Sequence, residues 1–190
     1  MSLTEAFVPA CAQTLRAMNG WLDKAVNHAA AGGDDAEALL SLRLAPDMYP
    51  LAAQLRFPCF MAQEPIYRLS GRPVPESLEE VRREGWNAGE RPGTIADARR
   101  HLADALDSLD GVSPDQFNGA PDRAITLDLP NGMIFDLTGD QYVRDWVLPN
   151  FHFHVGMAYA ILRRHGVPLG KADLLPHMFA YLRPGTAPAA

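Results

Sequence analysis

The stretch from Leu148 to Gly166, LPNFHFHVGMAYAILRRHG, sets Asn150, His152 and His154 among aromatic and aliphatic residues in a run long enough for a buried helix. A polar group inside an apolar helix has to be hydrogen-bonded, bound to a metal or used in catalysis, because leaving it unpaired is costly. Asn150 and His154 are four apart and share a helix face. His152 and His154 are two apart, about 200° around a helix, and cannot both look into one pocket. His154 is therefore expected inward and His152 at the periphery.

A second polar group stands at 43–54, RLAPDMYPLAAQ, where Asp47 would open the second long helix. Three arrangements are open, one of them a metal-free pocket for an apolar small molecule. In the second, Asp47, Asn150 and His154 meet inside the protein and hold a divalent ion, with positions left for water. In the third, Asp47 is the N-cap or first-turn acid of helix two. It then hydrogen-bonds to His154 or Asn150 and fixes the packing with no ligand. Tyr49, Gln54, Trp146 and Tyr159 are the further residues expected around a small polar pocket between the second and last long helices. Aromatic residues at helical spacing also serve as ordinary core. Tyr159 and Arg163 are four apart, a spacing that suits a phenol–guanidinium contact, and Lys171 and Asp173 are expected to pair locally.

Amphipathic helices must position these side chains. Phe7, Cys11, Leu15, Met18, Leu22 and Val26 recur every three or four residues after a capping box at Ser2–Glu5, which predicts a first helix ending between Ala29 and Gly33. Asp35 to Leu42 reads as a short helical turn. Met48, Leu51, Leu55, Cys59, Ala62, Ile66 and Leu69 make a second face, opened by Pro46 and bent by Pro58 and Pro65. A capping box at Ser77–Glu80 opens a short charged helix. A third, at Thr94–Asp97, precedes the face Ile95, Ala98, Leu102, Ala105 and Leu109, and His101 lies off that stripe, toward solvent. ITLDL and MIFDL alternate around Pro130-Asn131-Gly132, predicting a hairpin at about 124–137 with a type I′ turn. Thr138–Gln141 caps the last long helix. The ring of Pro149 would clash with the carbonyl of Asp145, so a kink or break belongs just before it. Four substantial helices and one hairpin predict an all-α four-helix bundle.

The balance of 17 basic and 23 acidic residues, net −6, argues against nucleic acid or an anionic membrane as partner. Cys11 and Cys59 are too few for a disulfide framework or a zinc finger and read as small buried hydrophobes. With neither a signal-peptide pattern nor a spanning apolar run, the expected location is the cytoplasm. G-x-S-x-G, P-loop, G-x-G-x-x-G and H-E-x-x-H patterns are absent, so hydrolase, kinase and dinucleotide readings lack support.

RLAPDMYPLAAQ at 43–54 and LPNFHFHVGMAYAILRRHGVPLGKAD at 148–173 resemble the signature of the DUF1993 family, which is similar to the DinB/YfiT-like superfamily. The resemblance implies an up-down-down-up four-helix bundle, taken over residues 1–182, and a homodimer, while the Pro, Gly and TAPAA of the end predict a flexible tail at 183–190. In the wider superfamily three histidines bind a divalent metal, such as zinc or nickel: one on the second helix and two at His-x3-His spacing on a later one. Members with known activity include metal-dependent thiol transferases. Lined up on LRRHG, His154 falls on the later ligand position and Asn150 on the earlier one, while 46–70 holds no histidine. The three-histidine site therefore does not carry over, and Asp47 and Gln54 are what remain on helix two. The alternative implied is a dimeric, non-catalytic helical module that has lost its metal site.

Overall fold

The computed structural model describes residues 2–186. Of the tail expected at 183–190, residues 187–190 lie outside the described residues. Four long helices dominate: α1 (Leu3–Gly32), α2 (Leu51–Arg68), α4 (Ile95–Asp110) and α6 (Leu148–Arg164). A shorter α3 (Glu76–Asn87) packs on α2. A hairpin of β1 (Ala124–Asp128) and β2 (Ile134–Thr138) precedes the run that leads into α6. Among the described residues no helix is long and apolar enough to cross a membrane.

The expected apolar stripes form the core. Phe7, Cys11, Leu15, Met18 and Leu22 of α1 are buried, as are Ile95, Ala98, Leu102, Ala105 and Leu109 of α4. Three of the predicted capping boxes form, at Ser2–Glu5, Thr94–Asp97 and Thr138–Gln141. Each satisfies backbone donors that a helix start leaves free. The fourth does not form. The Pro75 carbonyl accepts from Leu78 and Glu79, so Ser77 already lies inside the first turn of α3.

Helix α2 is the hub, packed against α1, α3, α4 and α6. All its residues except Met61, Tyr67 and Arg68 are buried, so its polar side chains Gln54, Arg56, Gln63 and Glu64 go inside with it. The helix runs unbroken through Pro58 and Pro65. It begins later than the Pro46 signal suggests. Met48 N–H closes a turn on Ala45, Leu51 N–H reaches back to Leu42, and only from Pro50 do carbonyls accept helical donors.

The chain enters the last helix through α5 (Gly139–Gln141) and a π-helical turn, Tyr142–Val147. Leu148 N–H bonds to the carbonyl of Val143, one residue further back than in an α-helix. The expected disturbance before Pro149 thus takes the form of a widened turn, which gives room to a ring that cannot sit over an α-helical carbonyl. Such a turn also rotates everything beyond it relative to what precedes it.

The hairpin forms in the expected place, with Asp128 opposite Ile134, but its turn differs from type I′. Gly132 N–H closes on Leu129, Leu129 N–H bonds to Met133, and Gly132 alone of the loop takes a positive φ, 86°. Pro130 presets a negative φ, so the turn slides back one residue into a type I turn followed by a left-handed glycine.

At the far end, α7 (Lys171–Leu174) is tied to α1. Trp21 Nε1–H donates to the Asp173 carbonyl at 2.8 Å, and Lys24 pairs with the Asp173 carboxylate at 2.7 Å. Asp173 therefore pairs with Lys24 across helices, not with Lys171 beside it.

Candidate functional site

A cavity of about 360 Å³ lies between α2, α3, the hairpin loop and the start of α6. Tyr49, Phe57, Phe60, Trp86 and Trp146 supply aromatic walls, and His154 belongs to the same lining. The exposed edges of Tyr49 and Trp86, with Asp128 and Asn131 on the hairpin, put its mouth in solvent. This size and this mixture of aromatic walls with few polar groups suit a small organic molecule.

His154 is held in one state. Its Nδ1 lies 2.8 Å from Gln54 Oε1, across from α6 to α2. Gln54 Nε2–H donates to the Tyr49 carbonyl at 3.4 Å. A carbonyl can only accept, so the amide turns its oxygen to the imidazole and the proton of the neutral ring sits on Nδ1. Burial lowers the pKa of His154 to about 4, so the ring is neutral at physiological pH. Nε2 is then a lone pair with no hydrogen-bond partner among the described residues. Phe57 packs on the imidazole at 4.7 Å between centroids and meets Tyr49 edge-on at 5.2 Å. Phe57 owes its place to Gly85 of α3, where an added Cβ would fall 2.6 Å from its ring.

The buried acid on the cavity wall is Glu64. Both its oxygens are engaged: Arg68 Nε–H donates to one and the Tyr142 hydroxyl to the other, each at 2.7 Å. Arg82 of α3 also lines the wall, its guanidinium over the rings of Phe60 and Trp86.

Of the residues singled out from sequence, Tyr49, Trp146 and His154 meet at this cavity, with Gln54 behind the imidazole. Asp47 does not join them. It is exposed in the turn before α2, in a separate crevice with Arg43 and Gly89, and it neither caps α2 nor bonds to His154 or Asn150. Asn150 turns its amide back on its own helix, donating to the Trp146 carbonyl at 2.7 Å. Tyr159 lies elsewhere, edge-on to Trp21 with its hydroxyl toward the Leu169 carbonyl, while Arg163 donates to Val167. The Tyr159–Arg163 contact is therefore absent. His152 is exposed, as expected.

The donors present do not fit the divalent ion that the resemblance implies. His154 Nε2 stands alone, both Glu64 oxygens are engaged, Asn150 spends its amide N–H on its own helix, and Asp47 is outside. Among the described residues no three His, Cys, Asp or Glu side chains group closely enough to hold a metal.

Sequence reasoning missed Glu64, Arg82 and a second polar cluster behind α2. There Glu84 accepts from Arg56 Nε–H at 3.2 Å and from His101 Nε2 at 2.8 Å. Arg56 and His101 are buried, so the expectation of a solvated His101 is corrected. It lies off the apolar stripe because it faces α3, which covers it. Burial, the larger influence, lowers its pKa against the opposing pull of Glu84. The available signal was polar residues on every side of a helix too apolar for solvent.

Residues 3–175 match the family model of DUF1993, a domain of unknown function. A crystal structure of a DinB family member protein from Shewanella denitrificans is similar over 98% of this chain and 96% of that one, at 30% identity and a TM-score of 0.74. No curated protein matches the sequence.

Proposed function

The chain belongs to the DUF1993 family, and from that premise we propose that it is a small-molecule-binding protein that uses the cavity beside His154 without a metal. The ligand is an aromatic or otherwise flat apolar molecule with an N–H or O–H group, which donates to His154 Nε2. The observation that carries this reading is the pinned imidazole. Gln54 holds Nδ1, burial keeps the ring neutral, and the remaining lone pair belongs to a residue of an aromatic-walled cavity. A neutral acceptor of this kind discriminates between ligands with and without a donor proton.

The test compares phenol with anisole, which lacks the donor, using the fluorescence of Trp86 and Trp146 on the cavity wall. Phenol is expected to bind about fivefold or more tighter, the effect of one hydrogen bond, and His154→Phe removes that preference. Equal affinities for the two, or a preference that survives His154→Phe, overturn the reading. So does a stoichiometric divalent metal in untagged protein that His154→Ala abolishes.

A second reading, the homodimeric module, draws on exposed Met133, Ile134 and Phe135 of the hairpin. A lone two-stranded sheet gains from being covered. Sedimentation across a concentration series tests it: Ile134→Lys is expected to shift a dimer to monomer, and a wild type that is monomeric throughout overturns it.

A further inference from the structure

Resting on the pocket proposed above, we infer that its ligand is an aromatic acid, with the ring between the aromatic walls, the carboxylate on Arg82 and a hydroxyl or N–H donating to His154.

Arg82 is the one cation among the residues lining the cavity. Its guanidinium lies 5.2 Å from the Phe60 centroid and 4.9 Å from that of Trp86, packed on both rings. Glu79, one turn back on α3, pairs with Nη2. The rest of the fork is under-used. Nε–H is buried with no acceptor, and Nη1 donates to no protein atom among the described residues. A buried donor without an acceptor is an uncompensated cost in a folded protein. Nε itself has almost no exposed surface, so it is Nη1 that offers idle donors to a carboxylate in the open cavity.

The other charges on the wall point the same way. Glu64 is balanced by Arg68 and by the Tyr142 hydroxyl, so it offers no free oxygen to a cationic ligand. Asp128 sits at the exposed mouth, where water screens it. A cation would find the faces of Phe60 and Trp86 already covered by Arg82. Among charged and ring-nitrogen groups, what remains for a ligand is the His154 Nε2 acceptor and the Arg82 donors; the Tyr49 hydroxyl, the Asn131 amide and the indole N–H groups of Trp86 and Trp146 add neutral polar contacts. A volume near 360 Å³ holds one ring or two with both substituents.

The experiment measures the affinities of 4-hydroxybenzoate, 4-hydroxybenzamide and tyramine by calorimetry on the full chain. The acid is expected to bind about tenfold or more tighter than the amide, as a charge-assisted contact does, and tyramine the weakest. Arg82→Gln brings acid and amide level, and Arg82→Lys restores part of the gap. Glu79→Gln, which frees the guanidinium without removing its stack, raises affinity for the acid and guards against a misfolded Arg82 variant. Equal binding of acid and amide with His154 dependence intact overturns the acid assignment and leaves the pocket reading standing. Tighter binding of tyramine, or an acid preference that survives Arg82→Gln, also overturns it. Absence of binding by all three removes the pocket reading as well.

Discussion

Two histidines flank α2, each tied down by one ring nitrogen, and their partners make them opposites. His154 is held by Gln54, a neutral amide, and its other nitrogen is unpaired on a residue of a cavity wall. His101 is held by Glu84, a carboxylate that also takes the buried Arg56. Arg56 donates further to the Ala52 carbonyl, closing the cluster between α2, α3 and α4. A charged partner demands a second charge to balance it, although His101 too lines a cavity, of about 240 Å³, and its Nδ1 has no hydrogen-bond partner among the described residues. A neutral partner makes no such demand, so an amide can orient an imidazole and leave room beside it. In this bundle the charged cluster ties α2, α3 and α4 together, and the neutral pair lies beside an aromatic-walled cavity.

The sharpest way to break this contrast is Glu84→Ala. It strands the Arg56 guanidinium in the interior and is expected to destabilise the fold by about 3 kcal/mol or more, read from the urea unfolding midpoint. A loss under about 1 kcal/mol would show that the cluster is not holding α3 in place.

Acidification bears on both sides of α2. Both imidazoles have pKa values below the ordinary 6.5, His154 at about 4. The unfolded chain therefore takes up these protons first. Their contribution is full above pH 6.5 and is lost as pH falls toward 4. For His154 alone the loss is about 3 kcal/mol. Urea midpoints between neutral pH and pH 4 should fall steadily, and His154→Phe should flatten the slope by that residue's share. A pH-independent midpoint contradicts the burial of both rings.

Gly85→Ala pushes a methyl into Phe57, whose ring supports the His154 imidazole. The expected cost is about 2 kcal/mol, seen in thermal unfolding, with phenol binding weakened as the ring is displaced. Binding that is untouched despite the lost stability would separate Phe57 from the cavity's shape. The mildest change is the double variant Gln54→Leu with His154→Phe, which removes both members of the neutral pair. It should stay within about 1 kcal/mol of wild type while the single variants cost more, because each single change orphans a buried group. No charged triad should tolerate such a swap, and a double variant as damaged as Glu84→Ala would erase the distinction between the two regions.

Much of this was legible in the chain itself. The stripes of α1 and α4 read directly as buried faces, and Thr94 and Thr138 announced helix starts with acceptors three residues on. Pro149 marked the break that became a π turn. His154 could be placed inward from its spacing to Asn150 and His152. Asp47 misled because Pro46 resembles a helix opening, whereas Leu51 reaching back to Leu42 delays the helix to Pro50. His101 misled because its stripe was judged against one neighbouring helix, and α3 supplied another. Asn150 kept the phase expected of it and lost its role to the Trp146 carbonyl one turn back.

The order of helices, three of their caps, the place of the hairpin and the break before Pro149 were determined by the sequence alone, since periodicity, capping and turn chemistry act across a few neighbouring residues. The partner of each buried polar group was decided only by the tertiary structure. Gln54 and His154 are 100 positions apart and Arg56 and Glu84 are 28 apart. No local rule reaches that far. Whether an amide or a carboxylate meets an imidazole depends on how the helices pack, and that choice separates a neutral pair from a charged cluster.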